Sequence, residues 1–197
     1  MLRRFLLIAG ILLCQWNPLP ASAAIVETAE NWQPRQGDIF VADLTANIGY
    51  LIHADATYLP FLIASGQQRY VYYLGQRYFA ATPRKTWVAK EQKIQPDRIN
   101  FGASGRFLRL FDEGTEYTSY GIHSYKYISR WLSAPNRYKS LGCIVVTEDI
   151  MDILAETFAL NGKELLVITT DGPNRLFQEL TSREQQMQAN REMSLVQ

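Results

Sequence analysis

Ser140-Leu141-Gly142-Cys143-Ile144-Val145-Val146-Thr147-Glu148-Asp149 changes its character halfway along. The β-branched run that follows Cys143 favours an extended strand. Thr147 then stands as an N-cap, with Glu148 and Asp149 in a first turn where the helix dipole favours acids. Ile150, Ile153, Leu154 and Phe158 recur at i, i+3, i+4 and i+8, the spacing of one buried helical face. Asn161-Gly162 ends that helix. Leu165 to Thr169 forms a last strand, terminated by Asp171-Gly172-Pro173.

Upstream the period is that of strands. Ile39 to Leu44 is β-rich, Thr45 to Gly49 reads as a turn, and Tyr50 to Ile52 is a second strand. Ala54-Asp55-Ala56 turns the chain into a third strand, Tyr58 to Ala64, which ends at Gly66. Tyr70 to Leu74 and Arg77 to Ala81 flank Gly75 as a hairpin. Thr86 to Ala89 follows the Thr82-Pro83 break. Phe107 to Phe111 and Gly121 to His123 are later strands. Ser124 to Ser140 has no clean period and contains Pro135-Asn136, so it reads as a long loop with a short helix near Ile128 to Leu132. The expected class is mainly β, one domain with one good helix and no internal repeat.

Composition bounds the function. The 197 residues, 47% hydrophobic, are ample for one core and too few for two large domains. Twenty basic residues against 19 acidic ones leave a formal net charge of +1. That balance, with no finger, P-loop or dinucleotide fingerprint, gives no reason to expect a nucleic-acid partner. Aromatics make up 12%, including 11 Tyr, which suits strands and a groove for polar ligands.

Residues 1–23 read as a secretory signal. Arg3 and Arg4 open it, Phe5 to Leu13 is the apolar stretch, Pro18 and Pro20 break it, and Ala21-Ser22-Ala23 is an A-x-A site. The alternative is a retained anchor, for which the apolar run is shorter than the roughly 20 residues of a bilayer span. Cys14 is a poor lipidation site, because Leu13 stands where a small residue is wanted. The expected location is therefore outside the cytoplasm, in the periplasm or cell envelope, with no membrane span left after cleavage. Residues 24–37 are a polar lead-in, 38–170 the domain, and 171–197 a polar tail, either a marginal helix or loose.

With the signal removed, Cys143 is the only cysteine. Exported proteins usually pair their cysteines. A solitary thiol there is either buried and inert or has a chemical role. Nucleophilic catalysis would need a thiolate, a base and oxyanion donors. The chain has two histidines, His53 at the end of the second strand and His123 at a strand end 20 residues before Cys143. Spacing alone does not choose between them, and either could be structural. Gly142, without a Cβ, would let backbone N–H groups approach a carbonyl, or is an ordinary turn.

Ser140-Leu141-Gly142-Cys143-Ile144-Val145 resembles the S-H-G-C-[IV]-R box of the L,D-transpeptidase catalytic domain, the YkuD-type family. Ile122-His123 resembles that family's I-H strand end. Ile39 to Leu44, Tyr50 to Ile52, Tyr58 to Ala64 and Ser65-Gly66 resemble its opening strands and S-x-G step. Thr82-Pro83-Arg84-Lys85-Thr86-Trp87 resembles its T-P-x-G-x-[FW] segment. Asp149, Leu154, Gly162 and Val167 fall where the family has its helix and final G-x-x-V strand. The resemblance covers roughly residues 38–170.

It implies an L,D-transpeptidase-like β-sandwich, one helix after the catalytic cysteine, a long active-site loop, no metal and no cofactor. It implies a low-pKa Cys143 as nucleophile on peptidoglycan stem peptides. His123 would be base and then acid, with its second ring nitrogen oriented by the Ser124 carbonyl. The N–H groups of Gly142 and Cys143 would be oxyanion donors, with Ser124 and Ser140 as backbone support. A second stem peptide, a lysine of a wall-attached protein, or water would resolve the thioester. The chain departs from the pattern at Leu141, Val145 and Lys85, where the family has His, Arg and Gly. Such departures fit a divergent branch, including hydrolytic members (carboxypeptidase, endopeptidase or amidase) and a catalytically weak muropeptide-binding protein. Lys126, Arg130, Arg137 and Lys139, with no acid among them, either hold substrate carboxylates or are solvated loop residues. Tyr125, Tyr127, Trp131 and Tyr138 either line a groove or pack the loop down.

Overall fold

The computed structural model describes residues 27–172. The expected signal sequence, Cys14 and all but the first two residues of the polar tail lie outside the described residues. The chain runs through β1 (Ile39–Asp43), β2 (Ile48–Ile52), β3 (Tyr58–Leu62), β4 (Ser65–Gly66), β5 (Tyr70–Tyr73), β6 (Gln76–Phe79) and β7 (Thr86–Ile94). It continues with β8 (Arg106–Asp112), β9 (Glu116–Ser124), α1 (Ile128–Leu132), β10 (Tyr138–Ser140), β11 (Ile144–Val146), α2 (Glu148–Leu160) and β12 (Leu165–Thr170). The fold is mainly β, as the alternation indicates.

Eight strands form one mixed sheet in the order β11-β9-β8-β7-β12-β1-β2-β3. The β1–β12 and β9–β11 pairs are parallel and the other neighbours antiparallel. The edge strands β3 and β11 are brought back towards each other. Just after β3, Ala64 N–H donates to the Val145 carbonyl at 2.9 Å, and Val145 N–H donates to the Ala64 carbonyl at 2.8 Å. The sheet is thus curved until its edges nearly meet, which satisfies edge groups that would otherwise be open.

Alternation sorts the side chains. Phe40, Leu51, Trp87, Leu108, Leu110, Ile122, Ile144 and Val146 fill one core, and α2 covers it with Ile150, Met151, Leu154 and Phe158. Val145, on the other face of β11, packs separately with Ala64 and Ile128. Thr169 anchors the segment entering β7. Its Oγ1 accepts from Trp87 Nε1 at 2.9 Å and from Lys85 N–H at 2.8 Å, and donates to the Pro83 carbonyl at 2.6 Å.

The structure lengthens several expected strands. β7 runs on through Lys90-Glu91-Gln92-Lys93, which are polar, because β8 supplies a continuous ladder with a bulge after Ala89. β9 begins at Glu116 for the same reason, paired with the far end of β8. The third strand stops at Leu62, two residues short of the expected end, and the chain then steps across to β4. The loop between His123 and Cys143 contains a strand with no sequence signature, β10, which pairs in parallel with β4. Thr147 occupies the N-cap position of α2, but its side chain makes no cap bond. Among the described residues no helix is long and apolar enough to cross a membrane.

Candidate active site

β9 and β11 lie side by side with Val145 opposite His123 and Ile144 opposite Ile122. This parallel pairing converts a separation of 20 residues into adjacent strands. Cys143 stands one residue before β11, next to Gly121, whose N–H faces its sulfur. A Cβ at Gly121 would lie 2.3 Å from the Phe107 ring, so this close approach needs glycine.

The turn carrying the thiol is held from two sides. Ser140 Oγ donates to the Cys143 carbonyl at 2.6 Å and accepts the Gly142 N–H at 3.1 Å. Thr82 Oγ1 donates to the Gly142 carbonyl at 2.8 Å and accepts from Gly66 N–H at 3.0 Å. Gly142 has φ +131°, and a Cβ there would sit 2.7 Å from the Tyr120 ring. Both features restrict the position to glycine. Of the two expected oxyanion donors, the Gly142 N–H already bonds Ser140 Oγ.

His123 is oriented by backbone. Its Nδ1 lies 2.7 Å from the Ser124 carbonyl, which selects the tautomer protonated there, and the Asn100 carbonyl also faces the ring. Phe101 and Phe107 pack against it, with ring centroids at 5.0 and 6.0 Å. Burial lowers the His123 pKa below its ordinary 6.5, against the opposing pull of the two carbonyls. Burial also pushes the Cys143 thiol up to about 11, although the Gly121 N–H and the positive charge of Arg109 act the other way. Both shifts run towards the uncharged forms, the thiol of Cys143 and the neutral imidazole of His123. This corrects the expectation of a low-pKa thiolate: desolvation outweighs the groups that favour the anion.

The two histidines have different surroundings. His53 is buried, stacks on Trp32 at 3.8 Å and holds Asp38 Oδ1 at 2.6 Å through Nδ1. Asp38 is tied to the far end of α2, where Asn161 Nδ2 donates to its carbonyl at 2.9 Å. Cys143 precedes the opposite end of that 13-residue helix. His53 thus belongs to a structural cluster away from the thiol.

The four loop cations are dispersed. Lys126 lines a cleft of about 310 Å³ with Arg98, Ile99, Ala103, Tyr125, Ile128 and Glu148. Arg130 is exposed on α1. Arg137 Nη2 donates to the Ala46 carbonyl at 2.5 Å and ties the loop to the β1–β2 turn. Lys139 is half-buried, and its carbonyl accepts from Gln67 Nε2 at 3.3 Å. Three of the four loop aromatics pack inward. Tyr125 stacks on Trp131 at 4.2 Å, and the Tyr138 hydroxyl donates to the Leu44 carbonyl at 2.9 Å.

Sequence reasoning missed Arg109. It lies across β8–β9 from Gly121 and is held by Glu91 Oε2 at 3.1 Å and the Thr118 carbonyl at 2.7 Å. Its guanidinium sits between the Phe107 and Tyr117 rings, at 4.9 and 4.6 Å. Nothing in a lone strand arginine signals this. Tyr78 and Tyr120, whose phenol pKa values are raised by burial and by their nearness to Cys143, were missed too. Among the described residues no cluster of three or more His, Cys, Asp or Glu side chains could hold a metal.

No family model matches the sequence, and no curated protein matches it. Solved structures do match. The structure of Bdellovibrio bacteriovorus Bd1075 aligns over 78% of this chain and 56% of that one, with 14% identity and a TM-score of 0.50. An L,D-transpeptidase from Xylanimonas cellulosilytica aligns over 71% of this chain and 63% of that one, with 18% identity and a TM-score of 0.49. The helical cell shape determining protein Pgp2 from Campylobacter jejuni aligns over 76% of this chain and 54% of that one, with 15% identity and a TM-score of 0.47. The chain thus spans less than two thirds of each of these structures. At such identities the likeness is one of fold.

Proposed function

We propose that this chain is an exported cysteine acyltransferase of the L,D-transpeptidase type that acts on peptidoglycan stem peptides. The observation that carries the proposal is the β9–β11 pairing, which lays the strand that holds His123 alongside the strand that Cys143 immediately precedes, with the imidazole fixed by the Ser124 carbonyl. The fold likeness and the ordered motif resemblance support the substrate class.

In this reading the donor is a tetrapeptide stem. Its scissile bond joins the carbonyl of an L-centre to a terminal D-residue. Cys143 Sγ attacks that carbonyl while unprotonated His123 Nε2 takes the thiol proton. General-base attack suits a thiol whose pKa burial raises to about 11, because little of it is ionised at pH 7. The Cys143 N–H stabilises the oxyanion. Imidazolium His123 returns the proton to the leaving amine of the D-residue, and a thioester remains on Sγ. An acceptor amine, from a second stem or a protein lysine, or a water molecule then displaces the thiol.

The test is mass spectrometry of muropeptides after incubation with the protein or its Cys143→Ala variant. Cross-linked or D-residue-exchanged products that require Cys143 are expected. Cys143-dependent shortening alone would move the protein to the hydrolytic branch. No Cys143-dependent product from peptidoglycan or from isolated tetrapeptides would overturn the proposal.

A further inference from the structure

The β5–β6 hairpin pairs only with itself, outside the eight-stranded sheet. Its register places Tyr70 opposite Phe79 and Tyr72 opposite Arg77. Alternation puts these four side chains on one face. That face is open: Tyr70 is 63% exposed, Tyr72 79% and Phe79 49%. The Arg77 guanidinium lies over the Tyr70 ring at 4.5 Å, and the Phe79 ring meets Tyr70 at 5.3 Å. The opposite face is tied to the candidate site, since the Tyr78 hydroxyl donates to the Leu141 carbonyl at 3.2 Å, two residues before Cys143.

The charged residues of this stretch of chain have one sign. Residues 56 to 90 contain no Asp or Glu. Arg84, Lys85 and Lys90 in that stretch are paired with acids from elsewhere in the chain. Arg69 bonds the neutral Gln67, and Arg77 lies over a ring. Among the described residues neither has a carboxylate partner. A ladder of exposed rings with the uncompensated Arg77 among them suits a ligand that offers flat C–H faces and carboxylates.

We infer that the Tyr70–Tyr72–Arg77–Phe79 face is a docking surface for a glycan strand bearing acidic groups, the backbone of the polymer whose stem peptides reach Cys143. This rests on the function proposed above. Pyranose rings present apolar C–H faces that stack on aromatic rings, and alternate side chains on a strand stand about 7 Å apart, the scale of one sugar ring. Arg77, kept flat on Tyr70, meets carboxylates with its outer N–H groups. The hairpin that carries this face is fastened by its other side to the turn that precedes the nucleophile. The rings continue along the side of the hairpin from Tyr72 to Tyr70 and Phe79. A lipid surface would engage chiefly the tip, Leu74.

The experiment measures binding of the full chain to two probes: peptide-free glycan strands released by an amidase, and phosphatidylglycerol vesicles. Three variants are compared: Tyr72→Ser with Arg77→Ser, Arg77→Glu alone, and Leu74→Ser. Wild-type protein and the Leu74→Ser variant bind the glycan. The double variant binds at least about tenfold more weakly, at an unchanged melting temperature. Arg77→Glu, an exposed single change, weakens binding in the same direction and gives the result if the double variant folds poorly. Lack of glycan binding by wild type, equal binding by the face variants, or binding to vesicles alone with Leu74 as the sensitive residue would overturn the inference. Glycan binding needs no turnover. Docking with no Cys143-dependent chemistry would leave this surface standing and remove the acyltransfer reading. Turnover of free tetrapeptides without docking would do the reverse.

Discussion

At Cys143 and His123, burial sets the protonation state and the pH behaviour. The Cys143 pKa is raised from 9.0 to about 11, so the folded state favours the proton. The stability this contributes is fully present below pH 9 and is lost as pH rises towards 11. The His123 pKa is lowered, so its contribution is present above pH 6.5 and is lost as pH falls below that value. A melting-temperature profile should therefore fall off on both sides, and Cys143→Ala should flatten only the alkaline side. Alkylation of the native thiol near pH 8 should be much slower than that of the unfolded chain, and should accelerate towards pH 11. The two histidines should separate in a mutational test. His123→Gln should lower kcat by about 100- to 10,000-fold with a small change in melting temperature. His53→Ala leaves Asp38 buried without its partner and should cost about 3 kcal/mol of stability, with kcat unchanged in the folded protein.

Among the elements, α2 was the most legible in the sequence, since its apolar residues repeat at helical spacing and Asn161-Gly162 marks its end. The core positions Ile150, Leu154 and Phe158 follow directly from that period. The cap does not. Thr147 looks like a capping residue, yet its hydroxyl makes no cap bond, so Thr147→Ala should cost under about 0.5 kcal/mol, below the usual loss of a cap. Chemical denaturation would measure it. The long strands were only half legible. The polar stretches Lys90 to Lys93 and Glu116 to Ser119 are extended because a neighbouring strand supplies hydrogen bonds, and pairing of that kind leaves no pattern in either strand alone. β10 was invisible for the same reason. Within the site, Cys143 and His123 could be named from residue type and motif order. Arg109 and Thr82 act through strand register and a turn, which only the folded chain brings together. Thr82→Val removes both the donor to the Gly142 carbonyl and the acceptor for Gly66 N–H. It should lower kcat with little change in KM, because it loosens the turn that aims the thiol.

Across the whole molecule, the sheet nearly closes through one bridge, Ala64 to Val145, and that bridge lies two residues from the nucleophile. Fold integrity and site geometry therefore share a fastening. Ala64→Pro removes the N–H that donates to the Val145 carbonyl and should cost about 3 kcal/mol or more. Hydrogen exchange in that variant should increase along β11 before it does in β1, β12 and β7 at the centre of the sheet. Whether this scaffold presents Cys143 for acyl transfer with His123 as base is decided by intact-protein mass spectrometry during turnover of a tetrapeptide donor. An adduct equal to the donor without its terminal D-residue, less one water, should be carried on Cys143. The adduct should be absent from Cys143→Ala and should form far more slowly in His123→Gln. Product formation that persists in Cys143→Ala, or an adduct that maps to another residue, would contradict acyl transfer through Cys143.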